Sequence, residues 1–215
     1  DQVELEHQVG VDSVGLVVYD TAGAVQDTVL LSVRRPNRVM LTRGGRPYAA
    51  LGVPFSARPQ FAVGPDGSIF SSDGATYRIA VLSPDGDTMR VFERDIEPPR
   101  VSDAERQAAL EDLRQRIRRI GGQPPKDIDL PDHKPAIDGI QVDATGHIWV
   151  RAPMDAGWTR TEYGVFRPDG RYLGALSAPP VRIEQIGDSL VAGVAVDSLG
   201  VQRVEIMRLR KPAAH

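Results

Sequence analysis

Apolar residues in this chain fall in short alternating runs, and residues suited to tight turns separate the runs. Four runs follow one another between Gln60 and Arg94. Phe61-Ala62-Val63 stops at Gly64-Pro65-Asp66-Gly67, and Ile69-Phe70 stops at Ser72-Asp73-Gly74. Tyr77, Ile79, Val81 and Leu82 stop at Ser83-Pro84-Asp85-Gly86, after which come Met89, Val91 and Phe92. In Pro-Asp-Gly the proline presets φ, the aspartate can bond backbone amides ahead of it, and the glycine accepts φ > 0. Alternation at period two between such turns predicts antiparallel strands with one or both faces buried.

The pattern returns from Gly139 to Ala178. Gly139–Val142 precedes the turn Asp143-Ala144-Thr145-Gly146, His147–Val150 matches Ser68–Ser71, and Tyr163–Gly170 matches Tyr77–Gly86. Tyr172–Leu176 supplies the fourth run. A unit of roughly 40 to 45 residues with four strands is the signature of β-propeller blades. Gly15–Asp20 and Ala24–Leu31, around Thr21-Ala22-Gly23, copy the last two strands of a blade, and a strand fits before them. Val181–Ile186, Ser189–Val196 and Val201–Leu209 predict three strands without a fourth.

The expected fold is therefore all-β: about three to three and a half propeller blades of four antiparallel strands, with one inserted helix. The chain reads as a single partial propeller domain over 1–215. Its parts are a partial blade at 1–33, a blade at 59–97, a blade at 136–178 and a last, incomplete blade at 181–210. Residues 34–58 read as a long connector in which Val39-Met40-Leu41 can form a strand.

The helix is expected over 102–121. Ser102-Asp103-Ala104-Glu105 is a capping box, in which serine accepts from a free amide and glutamate reaches back to the cap. Leu110, Leu113, Ile117 and Ile120 recur at spacings of three and four and predict one apolar stripe. Gly121-Gly122 ends it. Arginines 106, 114, 116, 118 and 119 occupy the other faces, which reads as an amphipathic helix lying on the rim of the sheets, or as a docking helix for an anionic partner.

Composition narrows the functions. The 215 residues carry a net charge of −3, which argues against a general nucleic-acid binder. No apolar run approaches 18 residues, so no membrane-spanning helix is expected. The absence of cysteine excludes disulfides, thiol catalysis and thiolate metal sites. Gly-x-Ser-x-Gly, the phosphate-binding glycine loop and His-Glu-x-x-His are all absent, and the histidines at 7, 133, 147 and 215 are scattered. No catalytic residue, metal ligand or cofactor is assigned.

Phe61-Ala-Val-Gly-Pro-Asp-Gly67, Tyr77-Arg-Ile79, Ser83-Pro-Asp-Gly86, Asp143-Ala-Thr-Gly-His-Ile-Trp149 and Phe166-Arg-Pro-Asp-Gly170 together resemble bacterial six-bladed β-propellers, the exported group related to NHL-repeat and TolB-type proteins. The resemblance implies a secreted, periplasmic or cell-envelope protein and says little about activity. Such propellers carry about six blades, more than are counted here. Either the chain is the C-terminal half of a longer propeller, or two chains close one ring by self-association.

The resulting expectation is a non-enzymatic, exported propeller that binds or assembles with other protein chains through blade edges or rim loops. A lactonase- or lyase-like enzyme completed by groups outside this chain, and a carbohydrate-binding module, are the alternatives. Candidate ligand-binding residues are few. Trp158, in a loop beside Arg160, could stack on a sugar or peptide, and Arg151 would add a polar contact on the same face. Gln60 and Asp138 precede the innermost strands and should point toward a central channel. His133, Asp138, Asp143 and His147 match no metal-ligand spacing, and Asp66, Asp85, Asp143 and Asp169 read as turn-formers.

Overall fold

The computed structural model describes residues 2–8, 13–19, 22–32, 37–43, 46–153, 160–179, 181–197 and 199–209. Five antiparallel sheets occur among them. β1 (Gln2–Gln8), β2 (Ser13–Tyr19) and β3 (Val25–Ser32) form the first. β4 (Arg38–Arg43) and β5 (Arg46–Gly52) form a hairpin. β6 (Gln60–Val63), β7 (Ile69–Ser72), β8 (Arg78–Leu82) and β9 (Thr88–Glu93) form a four-stranded meander. After the helix α1 (Asp103–Arg119), β10 (Gly139–Val142), β11 (Ile148–Arg151), β12 (Thr161–Phe166) and β13 (Tyr172–Ala178) repeat it. β14 (Arg182–Ile186), β15 (Leu190–Val196) and β16 (Gln202–Arg208) make the last sheet.

The sheets stack as blades do. Strand alternation sends Ile69 and Leu82 to one side of the β6–β9 sheet, against Leu16 and Val29. It sends Phe70, Ile79 and Val81 to the other side, against Ile140, Ile148 and Phe166. Trp149 and Tyr163 leave the opposite face of the β10–β13 sheet and meet Ile183, Ile186 and Val191. One cleft is lined by β6, β10 and β14 together, so the first strands of three successive sheets face a common axis. These are propeller blades, two complete and two of three strands.

The turns that separate strands also join blades. Gly86 has φ 92° and its α-carbon lies under Val29, where an added Cβ would stand 2.8 Å from Val29 Cγ1. Gly170 repeats this at φ 87°, with Phe92 at 3.2 Å. Val29 and Phe92 each stand six residues after the preceding blade's own turn glycine, Gly23 and Gly86. Arg90 adds a bond from its guanidinium to the Pro168 carbonyl at 2.7 Å. The Phe92 and Phe166 rings then meet at 5.1 Å across the seam.

Two expectations change. The connector at 34–58 contains the β4–β5 hairpin, and the helix lies on that hairpin instead of on a blade rim. Leu113 and Ile117 are buried against Val39, Leu41, Val53 and Leu130, a small core separate from the blade interfaces. Ile120, the last residue of the predicted stripe, is the C-cap and is exposed. The capping box forms as expected, with Ser102 Oγ accepting from the Glu105 amide and Glu105 accepting from the Ser102 amide.

Candidate functional site

Three features bear on function: an axial cleft, a cleft under the helix insertion, and one uncovered sheet face.

The axial cleft, about 310 Å³, is lined by the starts of β6, β10 and β14, including Gln60, Gly139 and Arg182. Arg151, at the end of β11, reaches its wall. Its guanidinium donates to the Asp138 carbonyl at 2.8 Å and stands 3.3 Å from the Asp138 carboxylate. Burial raises the pKa of Asp138, although Arg151 and Arg58 pull it down. Arg151 Nε and the Tyr163 hydroxyl are buried without a well-formed hydrogen bond, and burial raises the tyrosine's pKa. Glu184 pairs with Arg182, and the Gln141 amide donates to the Ile183 carbonyl at 2.7 Å. Apart from Arg151 Nε and the Tyr163 hydroxyl, the polar groups named here are paired within the chain.

Of the expected ligand residues, Gln60, Asp138 and Arg151 come together here. The Gln60 amide donates to the Arg58 carbonyl at 3.2 Å. Arg160 is exposed just before β12 and lines none of the clefts described. Trp158 lies outside the described residues; Arg151 engages Asp138.

Asp143 is turn chemistry with an added duty. Its carboxylate accepts from the Thr145 amide at 2.9 Å, the Thr145 hydroxyl at 2.6 Å and the His147 amide at 2.9 Å. It also accepts from the Trp149 indole at 3.2 Å, which ties the turn to the next blade interface. Burial opposes the charged form, but these donors outweigh it and hold the carboxyl below its ordinary value. Asp66 and Asp169 accept from the amides of Ser68 and Arg171. In the turn containing Asp85, the Ser83 hydroxyl accepts from the Asp87 amide.

The cleft under the insertion holds about 640 Å³ and was not legible in the sequence. Its walls come from the loop after β5, the β7–β8 turn, Glu97-Pro98 and the segment from Asp129 to Pro135. Phe55 there has φ 60°, a left-handed conformation that a bulky residue holds only where its surroundings enforce it. Ser56 beside it is 9% exposed, and its hydroxyl has no hydrogen-bond partner among the described residues.

The third feature is the outer face of the last sheet. Register places Val194 beside Val204 and Ala192 beside Ile206, on the side away from Ile183 and Val191. Val204 is 73% and Ile206 71% exposed, and Leu190 and Val196 are exposed with them. On the preceding sheet the corresponding face carries Trp149 and Tyr163, 4% and 1% exposed, because another sheet covers them.

No protein-family model matches the chain, and no curated protein matches it. Among solved structures, a protein of unknown function from Bacteroides caccae is similar over 94% of this chain and 54% of its own length, at 13% identity and TM-score 0.31. Virginiamycin B lyase from Staphylococcus aureus is similar over 93% of this chain and 64% of its own, at 11% identity and TM-score 0.33. A catalytically inactive variant of that lyase with quinupristin gives 98%, 75%, 9% and 0.33 for the same quantities. The chain thus spans little more than half of the first of these proteins and under two thirds of the second. At such scores the fold rests on the chain's own strand pairing. Among the described residues, no helix is long and apolar enough to cross a membrane.

Proposed function

We propose that this chain is a non-catalytic propeller scaffold whose uncovered β14–β16 face takes a β-sheet of another protein chain, a second copy being the simplest occupant. One observation carries the reading. Leu190, Val194, Val196, Val204 and Ile206 form an aliphatic surface where the preceding blade has a buried one. Covering Val204 and Ile206 alone would contribute about 1.5–3 kcal/mol each. Contiguous exposed apolar surface of this kind marks interaction sites, and β16 also ends its sheet with an unpaired strand edge among the described residues. Kinship with six-bladed exported propellers, and an envelope location, belong to the same proposal and rest on the sequence resemblance.

Size-exclusion chromatography with light scattering tests it on the 215-residue chain. The expected result is association at tens of micromolar. The Val204→Lys/Ile206→Lys variant should run as a 23.4 kDa monomer with an unchanged urea midpoint. A wild-type chain that stays monomeric at that concentration, or a variant that associates equally, would overturn the reading.

A further inference from the structure

The cleft under the insertion is built differently from the apolar face, and it does not depend on how the ring closes. Its walls are pinned by backbone bonds. The Lys134 amide donates to the Pro99 carbonyl at 2.8 Å and the Val101 amide to the Asp132 carbonyl at 2.9 Å. The Ala136 amide donates to the Gly74 carbonyl at 2.8 Å, which fixes the same segment to the β7–β8 turn. Two cations near it, Lys134 and Arg106, are engaged inward. Lys134 pairs with Glu105 of the helix, both side chains being mostly buried. Arg106 donates to the carbonyls of Leu130 and Pro131 and pairs with Asp132 at 3.0 Å.

Two further carboxylates of the lining remain exposed. Glu97 and Asp129 both line the cleft and are exposed, with half-exposed His133 at 4.0 Å from Glu97. A second cleft of about 400 Å³ continues it, shares Asn37 and Asp129, and adds exposed Asp127, Arg38 and Met40. Phe55, Pro98, Pro131 and Pro135 supply the apolar, stiff part of its lining. A pre-formed trough with apolar walls and carboxylates along its rim suits an extended chain carrying positive charges, because little ordering is required of the protein side.

We infer that this trough binds an extended basic peptide segment of a partner protein, with lysine or arginine side chains at Glu97 and Asp129 and short apolar side chains against the prolines. The test uses fluorescence anisotropy of a labelled peptide, Lys-Leu-Lys-Ala-Pro-Lys-Leu, and of its counterpart with glutamate in place of lysine. The wild-type chain should bind the basic peptide, more weakly as salt rises, and should not bind the acidic one. Glu97→Gln/Asp129→Asn should weaken binding at least tenfold; both side chains are exposed, so the fold is kept, as the urea midpoint will report. Asp87→Asn/Asp188→Asn removes the same charge on other blades and should change binding less than twofold. Ile206→Lys should leave it unchanged, which separates this site from assembly through the last sheet. Absence of basic-peptide binding, equal binding of both peptides, or equal loss in the two double variants would overturn the inference.

Discussion

Asp143 and Asp66 both lie in the first turn of successive blades, Asp143 at the position of Gly64 and Asp66 at that of Thr145, and they carry different loads. Asp66 accepts from one amide, that of Ser68 at 3.0 Å, at the surface. Asp143 is 2% exposed and accepts from two amides, a hydroxyl and the Trp149 indole. Replacement by alanine at 143 strands the buried indole N–H and the His147 amide, each costing about 1–3 kcal/mol when left unpaired. The expected loss for Asp143→Ala is about 3 kcal/mol, against about 1 kcal/mol for Asp66→Ala. Urea unfolding followed by tryptophan emission reads both, since the indole reports its own lost bond. Asp143 has a folded pKa below its unfolded value, so its contribution is present above pH 4 or so and fades as pH falls through the folded pKa. The difference between wild type and Asp143→Ala should therefore shrink on acidification. Equal losses at the two positions would refute the claim that Asp143 clamps the blade interface.

Three further expectations follow from the geometry. Ser102→Ala removes the helix cap and should cost about 1 kcal/mol, seen as a lower urea midpoint and weaker helical circular dichroism at unchanged sheet signal. Glu105, held at about 2 chiefly by its bond to Lys134, stabilises the insertion above its unfolded pKa near 4.5. That support should disappear as pH falls toward 2, and Lys134→Met should narrow the difference between the urea midpoints at pH 5 and pH 2.5. Gly193→Ala places a Cβ against Val181 and 2.8 Å from the Arg182 carbonyl; a loss of about 1–3 kcal/mol is expected, and an unchanged midpoint would show that β14 yields without cost.

The blades were legible because their physics is local. Pro65-Asp66-Gly67 and Pro168-Asp169-Gly170 write their turns in the residues that form them, and alternation assigns each strand's faces. The same holds for the helix, whose cap and stop lie within 20 residues of one another. The β4–β5 hairpin was harder to see. Pro47 sits within β5, where a missing donor usually demotes a strand, and much of that strand is exposed. Its stability comes from Leu113 and Ile117, about 70 residues away in sequence. The trough is assembled from separate stretches, none a motif by itself, so only the folded chain brings Glu97 and Asp129 to one opening. Asp138 was named for the axis and Arg151 for a face shared with Trp158, and their mutual pairing depends on the β10–β11 register.

The two complete blades each insert a glycine-tipped corner beneath a side chain of the blade before, Val29 over Gly86 and Phe92 over Gly170. Linkage of this kind joins only adjacent members, so the molecule should behave as a short one-dimensional array. Loss of order would begin at the terminal sheets, which have a single neighbour, and move inward. Amide exchange would then record a gradient: slowest where β7 and β11 lie back to back, fastest in β16.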